Sequence, residues 1–182
     1  MKEEKAIILD YLPNGYPFDT RQIHRKTPIA QAIGKDHFVL LELIPKKGVT
    51  LNVQEEVYIG EGKREKIHHI FGRINLDKLT QTAKGELDIV IQELVDRNEE
   101  KFINFFSVSG PINARRHQLE LLPGIGKKHM LEILEARNDG DFKDFEDLKK
   151  RVKLIPDPRQ TVIKRILMEI NDEDKYRLFV GN

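Results

Sequence analysis

Apolar positions in the first seventy-odd residues come in short runs, rich in β-branched residues and broken by turn signals. "KAIILDYL" is followed by Pro13, Asn14 and Gly15, which predicts a strand with a turn behind it. From His37 the chain reads "HFVLLELIPKKGVTLNVQEEVYIGEGKREKIHHIFGRI", punctuated by Pro-Lys-Lys-Gly and Gly-Glu-Gly-Lys. The pattern predicts strands over about 37–44, 49–53, 56–60 and 65–74, the last two joined as a hairpin. Four or five short strands in this length predict a small antiparallel barrel or a strongly curved sheet. The intervening "FDTRQIHRKTPIAQAIG", with Arg21, His24, Arg25 and Lys26, reads either as a basic arm crossing that sheet or as a solvated loop.

After Asn75 the period changes. Leu87, Val90, Ile91, Leu94 and Val95 recur at helical spacing, and a second short helix is predicted over 99–107, stopped by Gly110 and Pro111. Further helices are predicted over about 112–122, 127–137, 144–152 and 158–170. The tail "KYRLFVGN" alternates like a strand and could return to the sheet. The expected class is α+β: a β module over 1–75, connecting helices over 76–110, a helical module over 111–171, and a tail over 172–182.

Composition narrows the chemistry. The chain is 39% hydrophobic and 34% charged, with a formal net charge of only +1. It contains no cysteine, which excludes disulfides, thiolate catalysis and cysteine-ligated metal centres. The start, "MKEEKAIILDYL", does not read as a secretory leader, and no window approaches about 20 apolar residues, so a cytoplasmic protein with no membrane partner is expected. Residues 111–170 carry 13 basic and 10 acidic residues, whereas residues 1–110 carry 16 and 17, so the positive surplus lies in the helical part.

Within that part, "LELLPGIGKKHMLEIL" breaks a helical pattern on two glycines and follows them with two lysines. Pro123 ends the preceding segment. Gly124 and Gly126 permit backbone angles or close approach, and Ile125 can pin the corner to the core. The helix expected from Lys127 would present free N–H groups beside Lys127 and Lys128, an arrangement suited to gripping phosphate oxygens without reading a base. A tight turn used only for packing or partner docking is the alternative.

The stretch "INARRHQLELLPGIGKKHMLEILEARNDGDFKDFEDLKKRV" resembles the tandem helix-hairpin-helix family over about sixty residues. The resemblance implies that the first hairpin binds sugar-phosphate backbone through its glycine amides, at times with a monovalent cation bridging the contact. It transfers to Gly124, Ile125, Gly126, Lys127 and Lys128. The second corner, "LIPDPRQ", has prolines and Asp157 where the glycines would stand, and is expected to keep a structural role without the grip. The whole chain is also similar to an archaeal family of unknown function, described as RNA- or DNA-binding, that joins an OB-like β-barrel to such a module. That similarity implies an N-terminal OB-like barrel followed by an all-α tandem module.

Other basic groups could extend the footprint. Arg115 and Arg116 in "ARRHQ" flank the corner or form an exposed face beside Glu120 and Glu132, and "DLKKRVK" offers a similar choice. Lys63, Arg64 and Lys66 occupy the tip of the Gly-rich loop; Tyr58, His68, His69 and Phe71 are stacking candidates there, although Tyr58 and Phe71 read more simply as core. Strand alternation sends His68 and His69 to opposite faces, which argues against a shared metal. Asp139, Asp141 and Asp144 lie where a helix-hairpin-helix glycosylase would hold a catalytic carboxylate, but the helical region is short for a flipped-base pocket. "GIGKK" lacks the earlier glycine and the Ser or Thr of a phosphate-binding P-loop. The expectation is therefore a non-catalytic protein that binds RNA or DNA backbone, RNA before DNA. The alternative is an interaction module in a ribonucleoprotein or transcription assembly, which the near-neutral charge fits.

Overall fold

Ala6, Ile7, Ile8 and Leu9 are all buried, so the strand that carries them, β1 (Lys5–Leu12), is covered on both faces. It belongs to a curled antiparallel half-barrel with β2 (Ile29–Gly34), β3 (Leu40–Pro45), β4 (Glu56–Tyr58) and β5 (Ile67–Arg73), in the order β4-β1-β2-β3-β5. The computed structural model describes residues 2–20, 22 and 26–181. The chain forms two units, Met1–Ile91 with Phe179–Asn182, and Gln92–Leu178.

In the first unit the inside of the curl is filled by Ala6, Ile8, Ala32, Leu41, Leu43, Val57 and Ile67, each of the buried Ile, Leu and Val side chains contributing about 1.5–3 kcal/mol. A polar row runs across the other face. Asp10 pairs with Gln31, Gln31 with Glu42, and Glu42 with Gly72. Gln31 is fully buried yet satisfied: its amide donates to the Lys78 carbonyl at 2.9 Å and accepts from the Thr80 N–H at 2.8 Å. The Thr80 hydroxyl donates to Asp10 at 2.6 Å. These bonds fix the entry to α1 (Gln81–Arg97), which continues past the division between the units.

Four expectations are corrected here. β4 and β5 are the two edges of the sheet, not a hairpin, and no described pairing closes the barrel between them. Residues 49–53 form no strand, because Gly48 and Gln54 on either side adopt positive φ; Leu51 supplies only a buried anchor. β2 arises inside the stretch read as an arm or loop, built on small buried residues, Ala30 and Ala32. Of the basic residues in that stretch, Arg21, His24 and Arg25 lie outside the described residues, and Lys26 is half-buried. The tail is not a strand among the described residues: Phe179 and Val180 are buried, and the Gly181 N–H donates to the His37 carbonyl at 2.9 Å.

The second unit holds the end of α1, then α2 (Glu99–Val108), β6 (Pro111–Asn113), β7 (Arg116–His117), a 3-10 turn (Gln118–Leu121), α3 (Lys127–Ala136) with a further 3-10 turn (Arg137–Asp139) at its end, α4 (Phe145–Arg151) and α5 (Pro158–Ile170). Its core is formed by Phe102, Phe106, Leu119, Leu121, Ile125, Ile133, Leu148 and Ile166. The helix expected over 112–122 is instead a two-stranded hairpin followed by the 3-10 turn. Asn113 is the reason: its side-chain oxygen accepts the Arg115 N–H at 2.9 Å, an Asx-type turn that competes with helix formation. The fold class is thus mixed α and β in both units.

Candidate nucleic-acid interface

The 124–128 corner is held from behind. Ile125 is buried, and its N–H closes a turn on the Leu122 carbonyl at 3.0 Å. Gly124 has φ +84°, which favours glycine, and a Cβ there would also crowd the ring of Pro156 at 3.1 Å. Gly126 differs. Its φ is −92°, a value open to any residue, and a Cβ there would meet nothing within 4 Å. The freedom of glycine is therefore not what the backbone requires at Gly126. Its effect is to leave α3 without a side-chain cap. No described residue accepts from the N–H groups of Lys127 or Lys128, the first of the helix, and both side chains are exposed. Lys128 stands a loose 4.0 Å from Glu132.

The structure brings Arg115 and Arg116 to this corner on the β6–β7 hairpin rather than on a helix, Arg115 in its turn and Arg116 in β7. Both line a shallow depression with Lys127 and Met130, and Arg116 also borders the adjoining depression with Gly124 and Gly126. Arg116 is partly engaged, 3.8 Å from Asp174 and with its guanidinium 5.4 Å from the Tyr176 ring centre. Arg115 is exposed. Glu120 borders both depressions and tempers their charge.

Two positioning residues escaped the sequence reading. Arg165 is buried, with only 1% exposure. It donates to the Leu121 carbonyl at 2.9 Å, to Glu169 at 2.6 Å, to Asp174 at 3.1 Å and to the Tyr176 carbonyl. It thereby ties the chain just ahead of the corner to α5 and to the segment after it. Asp174 also accepts the Tyr176 N–H, and this bond with Arg165 and Arg116 holds its carboxyl below the usual carboxylate range. His117 accepts the Leu119 N–H on Nδ1 at 3.1 Å while Glu120 accepts the His117 N–H at 2.8 Å, a reciprocal cap on the 3-10 turn. Burial, with Arg137 nearby, lowers the His117 pKa against the opposing pull of Glu120. The acceptor role of Nδ1 requires the neutral ring.

The second corner answers the same geometry differently. The Asp157 carboxylate accepts the Gln160 N–H at 2.9 Å, and Pro158 occupies the first turn of α5 without an N–H to offer. That helix start already carries its anion.

In the first unit, the three basic residues between β4 and β5 are unequal. Lys66 is paired with Glu55, Arg64 donates to the Gly60 carbonyl at 2.8 Å, and Lys63 is exposed. Tyr58 is half-buried and its hydroxyl accepts the Gly62 N–H at 3.1 Å. Phe71 is not core: it is 66% exposed and is the unpaired residue of a β-bulge, between Ile70 opposite Leu43 and Gly72 opposite Glu42. His68 and His69 do not diverge as alternation implies, since their Nδ1 atoms lie 2.7 Å apart. No cluster of three or more metal-ligating side chains occurs among the described residues, and no helix among them is long and apolar enough to cross a membrane.

Comparison with known proteins agrees with this architecture along almost the whole chain. The family model described as "Protein of unknown function (DUF655)" matches residues 2–181. The chain is 44% identical to the uncharacterized protein MJ0038 of Methanocaldococcus jannaschii over 180 residues, covering 98% of this chain and 80% of that one. It is also similar to the crystal structure of Af1531 from Archaeoglobus fulgidus, with a TM-score of 0.86 and 43% identity, covering 98% of this chain and all of that one. The chain belongs to the DUF655 family.

Proposed function

We propose that this chain binds nucleic acid without catalysis, gripping the sugar-phosphate backbone at the 124–128 corner. One observation carries the reading: α3 begins on Gly126 with its first N–H groups unclaimed, beside exposed Lys127 and Lys128. Arg115 and Arg116, lining the same hollow as Lys127, extend the positive border. The hairpin and 3-10 turn then stand in for the leading helix of a helix-hairpin-helix unit, and the half-barrel for an OB-like module. Contacts of this kind position a strand without specifying its sequence, so affinity is mainly electrostatic. Single-stranded RNA is the preferred ligand, because one uncapped corner offers little to a long duplex.

The test is binding of short RNA and DNA at two salt concentrations, with and without Lys127→Ala and Lys128→Ala together. Affinity should fall steeply with salt, and the double variant should flatten the logarithmic salt slope by about 1.4 for a single strand. Absence of binding at low salt, or binding indifferent to salt, rejects the proposal. A second reading, docking of a partner protein from a ribonucleoprotein or transcription assembly, draws on Leu154 of the second corner, 88% exposed at φ 59°. Salt-independent capture of a protein partner abolished by Leu154→Asp would favour it.

A further inference from the structure

Two proline-initiated turns follow one another after β1. The Gly15 N–H donates to the Leu12 carbonyl at 3.1 Å, and the Asp19 N–H to the Tyr16 carbonyl at 3.0 Å. Proline at the second position of each, Pro13 and Pro17, presets the backbone. The second turn places Phe18 two residues beyond Tyr16, and the two rings stack with centres 4.9 Å apart and planes 10° from parallel.

Exposure of a single phenylalanine would mean little by itself. Phe18, however, is 80% exposed while one ring face is backed by Tyr16, and Tyr16 is anchored. The Tyr16 hydroxyl donates to Glu42 and accepts from the Gln31 amide at 3.0 Å, on the polar row of β2 and β3. Burial and the Glu42 carboxylate push the Tyr16 hydroxyl up to about 12, so it remains a neutral donor at physiological pH. At the end of that row Gly72 has nothing within 4 Å of where a Cβ would be, leaving its side of the sheet open. A rigid turn, a fixed backing ring and one bare aromatic face together make half of a π-stack.

We infer that Phe18 is a stacking platform for an unpaired nucleobase, a contact separate from the phosphate corner. The inference rests on nucleic acid being the ligand and adds that the bound strand has accessible, unstacked bases. A base laid on Phe18 would complete a three-layer stack on Tyr16, and the contact tolerates any base because every base has a π-face.

The chain contains no tryptophan, so Phe18→Trp places a unique fluorophore at the platform. Titration with a ten-nucleotide single strand, RNA or DNA, is followed by tryptophan emission and, in parallel, by anisotropy of a labelled strand. Emission should be quenched as anisotropy rises. Phe18→Ala should weaken single-strand binding roughly 5- to 100-fold, leave duplex binding unchanged and keep the melting temperature, and Phe18→Tyr should bind like the parent. If anisotropy reports salt-dependent binding while emission stays constant and Phe18→Ala binds like the parent, the platform is wrong and the phosphate grip stands. If no oligonucleotide binds the parent at low salt, the nucleic-acid reading falls and the platform with it.

Discussion

The chain turns into a helix through a proline-containing corner twice, and the two corners treat the helix start in opposite ways. At α5 the start is occupied: Asp157 lends a carboxylate to the Gln160 N–H, and Pro158 removes another donor. At α3 the start is bare, because Gly126 offers no side chain even though its backbone and surroundings would admit one. Capping typically contributes about 1 kcal/mol, but the difference between glycine and aspartate at such a position is only a few tenths. The uncapped start at α3 thus forgoes little stability. What it keeps is a cluster of N–H groups and two lysines open to an outside anion. The corners also touch, since Pro156 of the second fills the space over Gly124 of the first. One corner supports while the other is presented.

The largest expected effect breaks that support. Arg165→Ala takes the guanidinium away from the buried Glu169 carboxylate, which keeps the Leu178 N–H at 2.7 Å, and frees the Leu121 carbonyl ahead of the first corner. Loss of one partner from such a buried pair costs about 3–5 kcal/mol. Urea unfolding should show it, and a loss below about 1 kcal/mol would mean the first corner is not held through Arg165.

A smaller effect concerns His117. Its folded pKa is lowered, so the unfolded chain takes up its proton first as pH falls. The stability it contributes is complete above the ordinary histidine range and is lost as pH drops through that range towards the lowered value. Thermal unfolding between pH 7.5 and 5 should show the parent losing more stability than His117→Asn, because only the parent carries a buried ring whose protonation the fold opposes. Equal losses would remove the cap from the account.

How much of this was legible in the sequence depends on whether the signal was local. The corner was readable because Pro123, the two glycines and the lysines act within one turn. α1, α2, α4 and α5 were readable from their period. β2 was not, because Ala30, Gln31 and Ala32 lack the bulky alternation of a strand and are buried by distant elements. The hairpin of β6 and β7 was hidden because Leu119, Leu121 and Leu122 imitate a helical stripe while Asn113 decides the backbone upstream. Arg165 looked like the polar face of an amphipathic helix; its one sequence signal was Glu169 four residues on. His117 followed by Glu120 carried the spacing of a capping box with an unusual first residue. Phe18 followed Pro17 in a turn sequence that composition alone presents as loop.

The most direct test of the difference between the corners is to give the first one the chemistry of the second. Gly126→Asp has room for its side chain and an ordinary backbone angle, so the protein should fold as before and gain a few tenths of a kcal/mol from the new cap. Its affinity for a short single-stranded RNA at low salt should fall at least tenfold, because the new carboxylate occupies the helix start and repels phosphate. Unchanged affinity in a folded Gly126→Asp variant would contradict the claim that the bare start of α3 is the grip.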